Sequence, residues 1–259
     1  MNSQRLRQTA IGVLILVAIA MFWNRGETTT DTAAPETARI GEAAPASPAP
    51  AVEATAPAAR ADAAFDYYVL VLSWSPTHCS SEQGRGRDDD LQCRSGRPYG
   101  FVLHGLWPQH ERGYPEDCPT DEPRTVGGDL MRDMLEISPS AQLVQHEWRK
   151  HGTCAGLSQA DYFAAASKAF RSVVIPPAYQ APKRVVTTTP DDVRDAFLSA
   201  NTNFKRDAVS ATCRRNDLAE VWVCLDRSFA PRACSKDVRN RHCGGREVRL
   251  RAVRGDWPR

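Results

Sequence analysis

The segments FVLHGLWP, residues 101–108, and HEWRKHGTC, residues 146–154, carry most of the information about the fold and chemistry of this chain. Together they hold three of its six histidines, with a glutamate, a lysine and two tryptophans. In the first segment, the branched and aromatic run Phe101–Leu103 predicts a short buried strand. We expect this strand to deliver His104 at its end, which makes His104 a candidate functional residue.

The second segment predicts a helix on which His146 and His151 bracket Glu147 and Lys150. Histidines five residues apart lie about 140° apart around a regular helix, whereas a zinc-binding His-Glu-x-x-His helix spaces them by four. The pattern therefore argues against a metal site. Glu147 and His151 are four residues apart and share a face, with Lys150 beside them. This face presents an acid, a cation and an imidazole.

Apolar patterns elsewhere, together with capping sequences that begin at Ser158 and Thr189, predict strands and helices in separate groups along the chain. The predicted strands are residues 67–74, 208–212, 218–225 and 248–252, and the predicted helices are residues 128–137, 158–173 and 190–200. Strands at both ends of the folded region, with helices between them, indicate an α+β fold. We expect a central antiparallel sheet with flanking helices.

The cysteines indicate a disulfide-bridged protein. All eight lie between Cys79 and Cys243, and the first 78 residues contain none. An even number confined to the folded region is typical of disulfides formed in an oxidising compartment. No C-x₂-C pair occurs, which disfavours a zinc knuckle.

The N-terminal region indicates export. Residues 1–26 contain two early arginines and an apolar run of moderate length, which predicts either a cleaved signal peptide or a retained membrane anchor. Residues 27–64 contain 15 alanines and 5 prolines and no aromatic residue, which predicts a disordered linker. We expect residues 65–259 to form the folded domain. Residues 205–259 carry fourteen basic and seven acidic residues, a balance compatible with a polyanionic partner.

The side chains of the two segments suit RNA cleavage by transesterification. The nucleophile in that reaction is the 2′-hydroxyl of the substrate, so the protein needs no serine or cysteine nucleophile. It must supply a base, an acid for the departing 5′ oxygen and positive charge for the transition state. Imidazoles suit both proton transfers because their pKa lies near neutrality, and a lysine supplies the charge.

The segments His104–Pro108 and His146–Cys154 resemble the two active-site segments of the ribonuclease T2 family, and the likeness extends over about residues 65–245. The resemblance implies His104 as general acid and His151 as general base. It also implies that Glu147 and Lys150 stabilise the phosphate and the transition state, and that His146 contacts the phosphate.

The resemblance further implies a base-binding role for Trp107, although this ring could instead belong to the core. Gln109 and Leu143 occupy positions where relatives discriminate between bases, and neither side chain is an obvious specificity device. We therefore expect low base specificity. The implied disulfides are Cys79–Cys93, Cys118–Cys154, Cys213–Cys243 and Cys224–Cys234.

The sequence thus predicts a periplasmic or secreted endoribonuclease, with the alternative of anchorage to the inner membrane by its N-terminus. We expect a monomer that cleaves single-stranded RNA, not DNA, through a 2′,3′-cyclic phosphate to 3′-phosphate ends, without metal or cofactor. Two other functions stay open at this point. One is a ribonuclease toxin or effector, and the other is a catalytically silent RNA-binding module.

Overall fold

The structure is a computed structural model that describes residues 65–86, 90–245 and 247–258. The predicted signal peptide or anchor, residues 1–26, and the predicted linker, residues 27–64, lie outside this part of the chain. None of the helices in the described ranges is long and apolar enough to cross a membrane.

In the part of the chain that the structure describes, six strands form a single sheet. They are β1 Tyr67–Trp74, β2 Phe101–Gln109, β3 Val186–Thr188, β4 Val209–Arg214, β5 Asp217–Leu225 and β6 Val248–Leu250. The sheet order is β2-β1-β5-β6-β3, and β4 also pairs with β5. Neighbouring strands are antiparallel except β5 and β6, which make one parallel pairing. The predicted α+β fold is confirmed, with this parallel contact as the departure from an antiparallel sheet.

The central strand β1 is buried on both faces of the sheet, because successive strand residues point to opposite sides. Tyr68, Leu70, Leu72 and Trp74 belong to the main hydrophobic core; we call this side the core face. Tyr67, Val69 and Val71 belong to a smaller cluster that includes the Cys224–Cys234 disulfide, with Trp107 and Trp222 packed against it. We call this side the site face.

A β-bulge in β2 brings His104 to the site face. Val71 lies opposite Gly105 whereas the next residue, Leu72, lies opposite Leu103, so His104 is an extra residue in the pairing. A bulge of this kind interrupts the alternation of a strand and re-aims a side chain. The prediction that His104 ends a short strand is therefore wrong, because β2 continues to Gln109 and contains His104 near its middle.

The helices of the described residues are α1 Ser75–Cys79, α2 Asp90–Cys93, α3 Gly128–Leu135, α4 Ala141–Lys150, α5 Gln159–Ser172, α6 Pro177–Gln180, α7 Pro190–Ala200 and α8 Lys236–Arg239. Helices α3 to α7 pack on the core face, whereas Val238 of α8 belongs to the cluster of the site face. The side chains of Ser158 and Thr189 cap α5 and α7 as their sequences predict. In the core, the fully buried Trp148 of α4 packs against Tyr162 and Phe163 of α5. Trp148 is thus a packing residue.

Four disulfides join all eight cysteines, and their pairing is the one implied by the family resemblance: Cys79–Cys93, Cys118–Cys154, Cys213–Cys243 and Cys224–Cys234. The Cys118–Cys154 bond matters most for the site. It ties the long loop that follows β2 to the turn that follows α4. Strand β2 contains residues 101–108, and α4 with its following turn contains residues 146–154.

Candidate active site

A cavity of about 600 Å³ opens on the site face. Its wall includes all six of the site residues predicted from the two segments: His104, Trp107, His146, Glu147, Lys150 and His151. Strand β2 supplies the first two and the C-terminal end of α4 supplies the others. The fold therefore brings both sequence segments into one cleft.

The His104 imidazole lies between two carboxylates. Its Nδ1 is 2.6 Å from Oε1 of Glu220 on β5, and its Nε2 is 3.5 Å from Oε1 of Glu147 on α4. Burial lowers the pKa of His104, but the hydrogen bond with Glu220 and the negative charges of both glutamates outweigh it and raise the pKa to about 9. His104 is therefore protonated at neutral pH.

The carboxyl group of Glu147 is buried against the backbone of β2 at Gly105. The Glu147 side chain is 4% exposed, and Oε2 accepts a 2.6 Å hydrogen bond from Nε1 of Trp107. A Cβ atom at position 105 would overlap this carboxylate, so only glycine fits beside it. Burial raises the pKa of Glu147 to about 7, against the opposing effect of the His104 charge.

The end of α4 differs from the predicted helix. Regular helix ends at Lys150, and His151 is the C-cap with φ −115° and ψ −45°, followed by a 3₁₀ turn over Gly152–Cys154. The rings of His146 and His151 consequently lie 6.4 Å apart and both line the cavity. The prediction that these histidines diverge around one regular helix is therefore wrong. Within the described ranges, no group of three or more His, Cys, Asp or Glu side chains is arranged to hold a metal ion.

His151 has an environment opposite to that of His104. It is buried, and its ring stacks on Trp107 at a centroid distance of 5.0 Å. Burial, together with the positive charges of Lys150, His146 and His104, lowers the pKa of His151 to about 3. His151 is therefore neutral over the whole physiological range and able to accept a proton.

Trp107 joins the parts of the site. Its ring makes edge contacts with His104 at 5.1 Å and Trp222 at 5.3 Å, in addition to the stacking on His151 and the hydrogen bond to Glu147. A single indole thus sets the relative positions of both imidazoles and the buried carboxylate.

Lys150 reaches the cavity but is ion-paired in the structure. Its Nζ lies 3.1 Å from Oε2 of Glu116, in the loop held by the Cys118–Cys154 disulfide. The hydrogen bond to Glu116 raises the pKa of Lys150. The pKa of the nearby His146 is lowered, first by burial and then by the Lys150 charge.

A second cavity, of about 430 Å³, adjoins the first and shares His104 and His146 with it. Leu143, Arg149 and Glu220 are among the residues that line it. The two histidines therefore stand where the two cavities meet, with room for a substrate group on either side.

The model of the ribonuclease T2 family matches residues 65–234, well over half of the chain. The chain belongs to the ribonuclease T2 family. It is an endoribonuclease of the T2 type, and the match covers both of the sequence segments that form the candidate site.

Curated relatives of the T2 ribonuclease agree with this. A ribonuclease of Aeromonas hydrophila is 34% identical over 196 residues, which are 73% of this chain and 87% of the relative. A probable ribonuclease of Haemophilus influenzae is 39% identical over 185 residues, which are 68% of this chain and 63% of the relative. Among solved structures, an RNase-related protein from Calystegia sepium matches with a TM-score of 0.57 and 21% identity, over 73% of this chain and 98% of that one. At this identity the likeness concerns the fold alone.

Three residues of the candidate site were not predicted from the sequence. Glu220 contacts His104, Glu116 contacts Lys150, and Tyr114 is a cavity-lining aromatic that is 47% exposed. A large aromatic residue in the loop after the first segment was a usable signal for Tyr114. Glu116 and Glu220 lie in no recognisable motif. Both reach the site only through tertiary packing, which the sequence pattern does not reveal.

Proposed function

We propose that this enzyme cleaves single-stranded RNA by metal-independent acid–base transesterification, with His104 as the acid and His151 as the base. The observation that carries the proposal is the opposite environment of two imidazoles in one cleft. His104 is held by two carboxylates, whereas His151 is buried beside cations. Pairs of groups whose pKa values are pushed apart in this way indicate which one donates and which one accepts a proton.

In the first step, neutral His151 takes the proton of the 2′-hydroxyl, and the 2′ oxygen attacks phosphorus. The bond from phosphorus to the 5′ oxygen breaks, and the departing oxygen takes a proton from His104. The products are a 2′,3′-cyclic phosphate and a free 5′-hydroxyl end.

In the second step, the two histidines exchange roles. His104, now neutral, takes a proton from water, and the resulting hydroxide attacks the cyclic phosphate. The bond to the 2′ oxygen breaks, and this oxygen takes the proton held by His151. The product is a 3′-phosphate end, and both histidines return to their starting protonation states.

Lys150, His146 and Glu147 surround the place where the phosphate would lie. Lys150 supplies a positive charge for the pentacoordinate transition state, and the phosphate displaces Glu116 to reach it. His146, at the meeting point of the two cavities, donates a hydrogen bond to a phosphate oxygen. Glu147 keeps His104 charged and shares its proton.

The two cavities suit the two nucleosides that flank the cleaved bond. Aromatic side chains commonly hold unstacked bases of single-stranded RNA. In the larger cavity, Trp107 and the exposed Tyr114 offer such a surface, with Gln109 beside them. Gln109 is buried and donates its amide to the Pro108 carbonyl, and the smaller cavity presents Leu143. These side chains offer little base-specific hydrogen bonding, which supports low base specificity.

The four disulfides support export to an oxidising compartment such as the periplasm. The signal peptide or inner-membrane anchor in residues 1–26, the linker in residues 27–64 and the monomeric state stay predictions.

Substrate and mechanism can be tested together by incubating the enzyme with an RNA oligonucleotide in the presence of a chelator. The expected result is cleavage with early 2′,3′-cyclic phosphate ends, and no cleavage of the same oligonucleotide with a 2′-deoxy residue at every position. Cleavage of the deoxy strand, or loss of RNA cleavage in the chelator, would contradict the proposal.

A further inference from the structure

Glu220 reaches His104 across the sheet. The strand order places β1 between β2, which carries His104, and β5, which carries Glu220. Ser73 of β1 lies directly opposite Glu220 in the register, and it lines the smaller cavity with both residues. A serine at this crossing point leaves space for the imidazole and the carboxylate to meet above β1.

The Glu220 carboxylate has few ways to move. Oε1 contacts Nδ1 of His104 at 2.6 Å, and Oε2 accepts a 2.7 Å hydrogen bond from Nε1 of Trp222. Thr212, its partner on β4, adds a side-chain hydrogen bond. The Glu220 side chain is 18% exposed, and a charged group so placed is costly unless it is fully hydrogen-bonded. These partners therefore fix the carboxylate as an ionised acceptor.

An ionised acceptor at Nδ1 determines how the His104 ring presents its other nitrogen. Nδ1 must carry a proton toward Glu220, so the exchangeable proton is the one on Nε2. Nε2 points to the side where Glu147 and the cavity lie. The charge of His104 also acts on the imidazoles of His146 and His151, whose pKa values it lowers.

We propose that Glu220 is a positioning residue of the reaction, which holds the His104 imidazolium through Nδ1 so that Nε2–H faces the departing 5′ oxygen. This inference rests on the proposed function, in which His104 is the general acid. Strand β5 lies outside both sequence segments. Through Glu220 it would help to orient the acid that protonates the leaving group.

The test compares two substrates that differ in their need for an acid. A dinucleotide leaves a 5′ alkoxide that must be protonated, whereas a nucleoside 3′-(4-nitrophenyl phosphate) leaves a weakly basic phenolate. The E220Q variant keeps the size of the side chain and loses the charge. We expect its kcat to fall about 10- to 100-fold on the dinucleotide, a part of the roughly 10²- to 10⁴-fold that acid–base catalysis contributes. On the aryl ester we expect little change.

The proposal is supported if the fold-decrease in kcat of E220Q on the dinucleotide is more than about five times its fold-decrease on the aryl ester. Any smaller ratio overturns it. E136Q is the matched control, because Glu136 is exposed and pairs only weakly with Arg97; it should behave as wild type on both substrates. If E220Q does not fold, T212V is the alternative, because it removes the hydrogen bond from Thr212 to the same carboxylate. Its loss of kcat should again be larger on the dinucleotide than on the aryl ester, but smaller than that of E220Q.

The H104A variant separates failure of this proposal from failure of the proposed function. If His104 is the acid, H104A loses much more activity on the dinucleotide than on the aryl ester. Equal losses for H104A would refute the role of His104 itself. A selective loss for H104A without a selective loss for E220Q would refute the role of Glu220 alone.

Discussion

The close approach of Gly105 to Glu147 gives a sharp prediction for the G105A variant. The added methyl group would overlap the Glu147 carboxyl group and lie 2.6 Å from Nε1 of Trp107. Glu147 is buried, so its carboxylate can yield only by breaking the hydrogen bond from Trp107 and moving away from His104.

The magnitude follows from these contacts. Overpacking a filled site costs about 1–3 kcal/mol, and losing a hydrogen bond to a charged group costs about 1.5–3 kcal/mol. We therefore expect G105A to be less stable by about 2.5–6 kcal/mol. A displacement of about 1 Å among catalytic groups lowers the rate by roughly 10²-fold, and we expect a loss of kcat/KM of that order.

Urea unfolding followed by tryptophan fluorescence gives the stability, and dinucleotide cleavage gives kcat/KM. The G244A variant is the matched control, because a Cβ atom at position 244 meets nothing within 4 Å and Gly244 lies outside the helices and strands. It should match wild type in both assays. G105A with wild-type turnover and a free energy of unfolding within about 0.5 kcal/mol of wild type would refute the reasoning.

Three further predictions concern pH, charge and the disulfides. Activity should require neutral His151 and protonated His104, so kcat/KM should stay high above a pH of about 3 and fall as the pH rises through about 9; a fall near pH 6.5 would contradict these assignments. E116Q should remove the ion pair of Lys150 and lower KM about two- to five-fold, because an exposed ion pair is worth about 0.2–1 kcal/mol. An unchanged or higher KM would show that Glu116 does not compete with the phosphate for Lys150. Replacing the Cys118–Cys154 disulfide, which spans 36 residues, by two alanines should cost about 4 kcal/mol of unfolding free energy. Urea unfolding measures that loss, and unchanged stability would show that the bond constrains nothing.

Local patterns in the sequence predicted the elements with strong periodicity and clear ends. The helix α5, which begins after Ser158, and the helix α7, which begins after Thr189, lie where their capping sequences placed them. The pairing of all eight cysteines followed from the family resemblance and not from spacing.

The errors have a common physical origin in local irregularity. The bulge at His104 breaks the two-residue alternation, so the sequence of β2 reads as a strand that stops at Leu103. The C-cap geometry of His151 depends on the turn that follows it and on the packing of its ring on Trp107. Neither feature has a periodic signal, and both determine where a histidine points.

The two glutamates that were missed reflect long-range packing. Glu220 is 116 residues from His104 in sequence and meets it only because β1 lies between their strands. An isolated glutamate in a strand carries no information about its partner. Only the register of three strands identifies it.

The central claim is that the two imidazoles of the cleft differ in protonation, and an NMR titration of the His104 and His151 ring protons tests it most directly. The account predicts that His104 titrates near pH 9 and that His151 stays neutral down to about pH 3. Titration of both rings near the ordinary value of about 6.5, or in the reverse order, would contradict the assignment of acid and base.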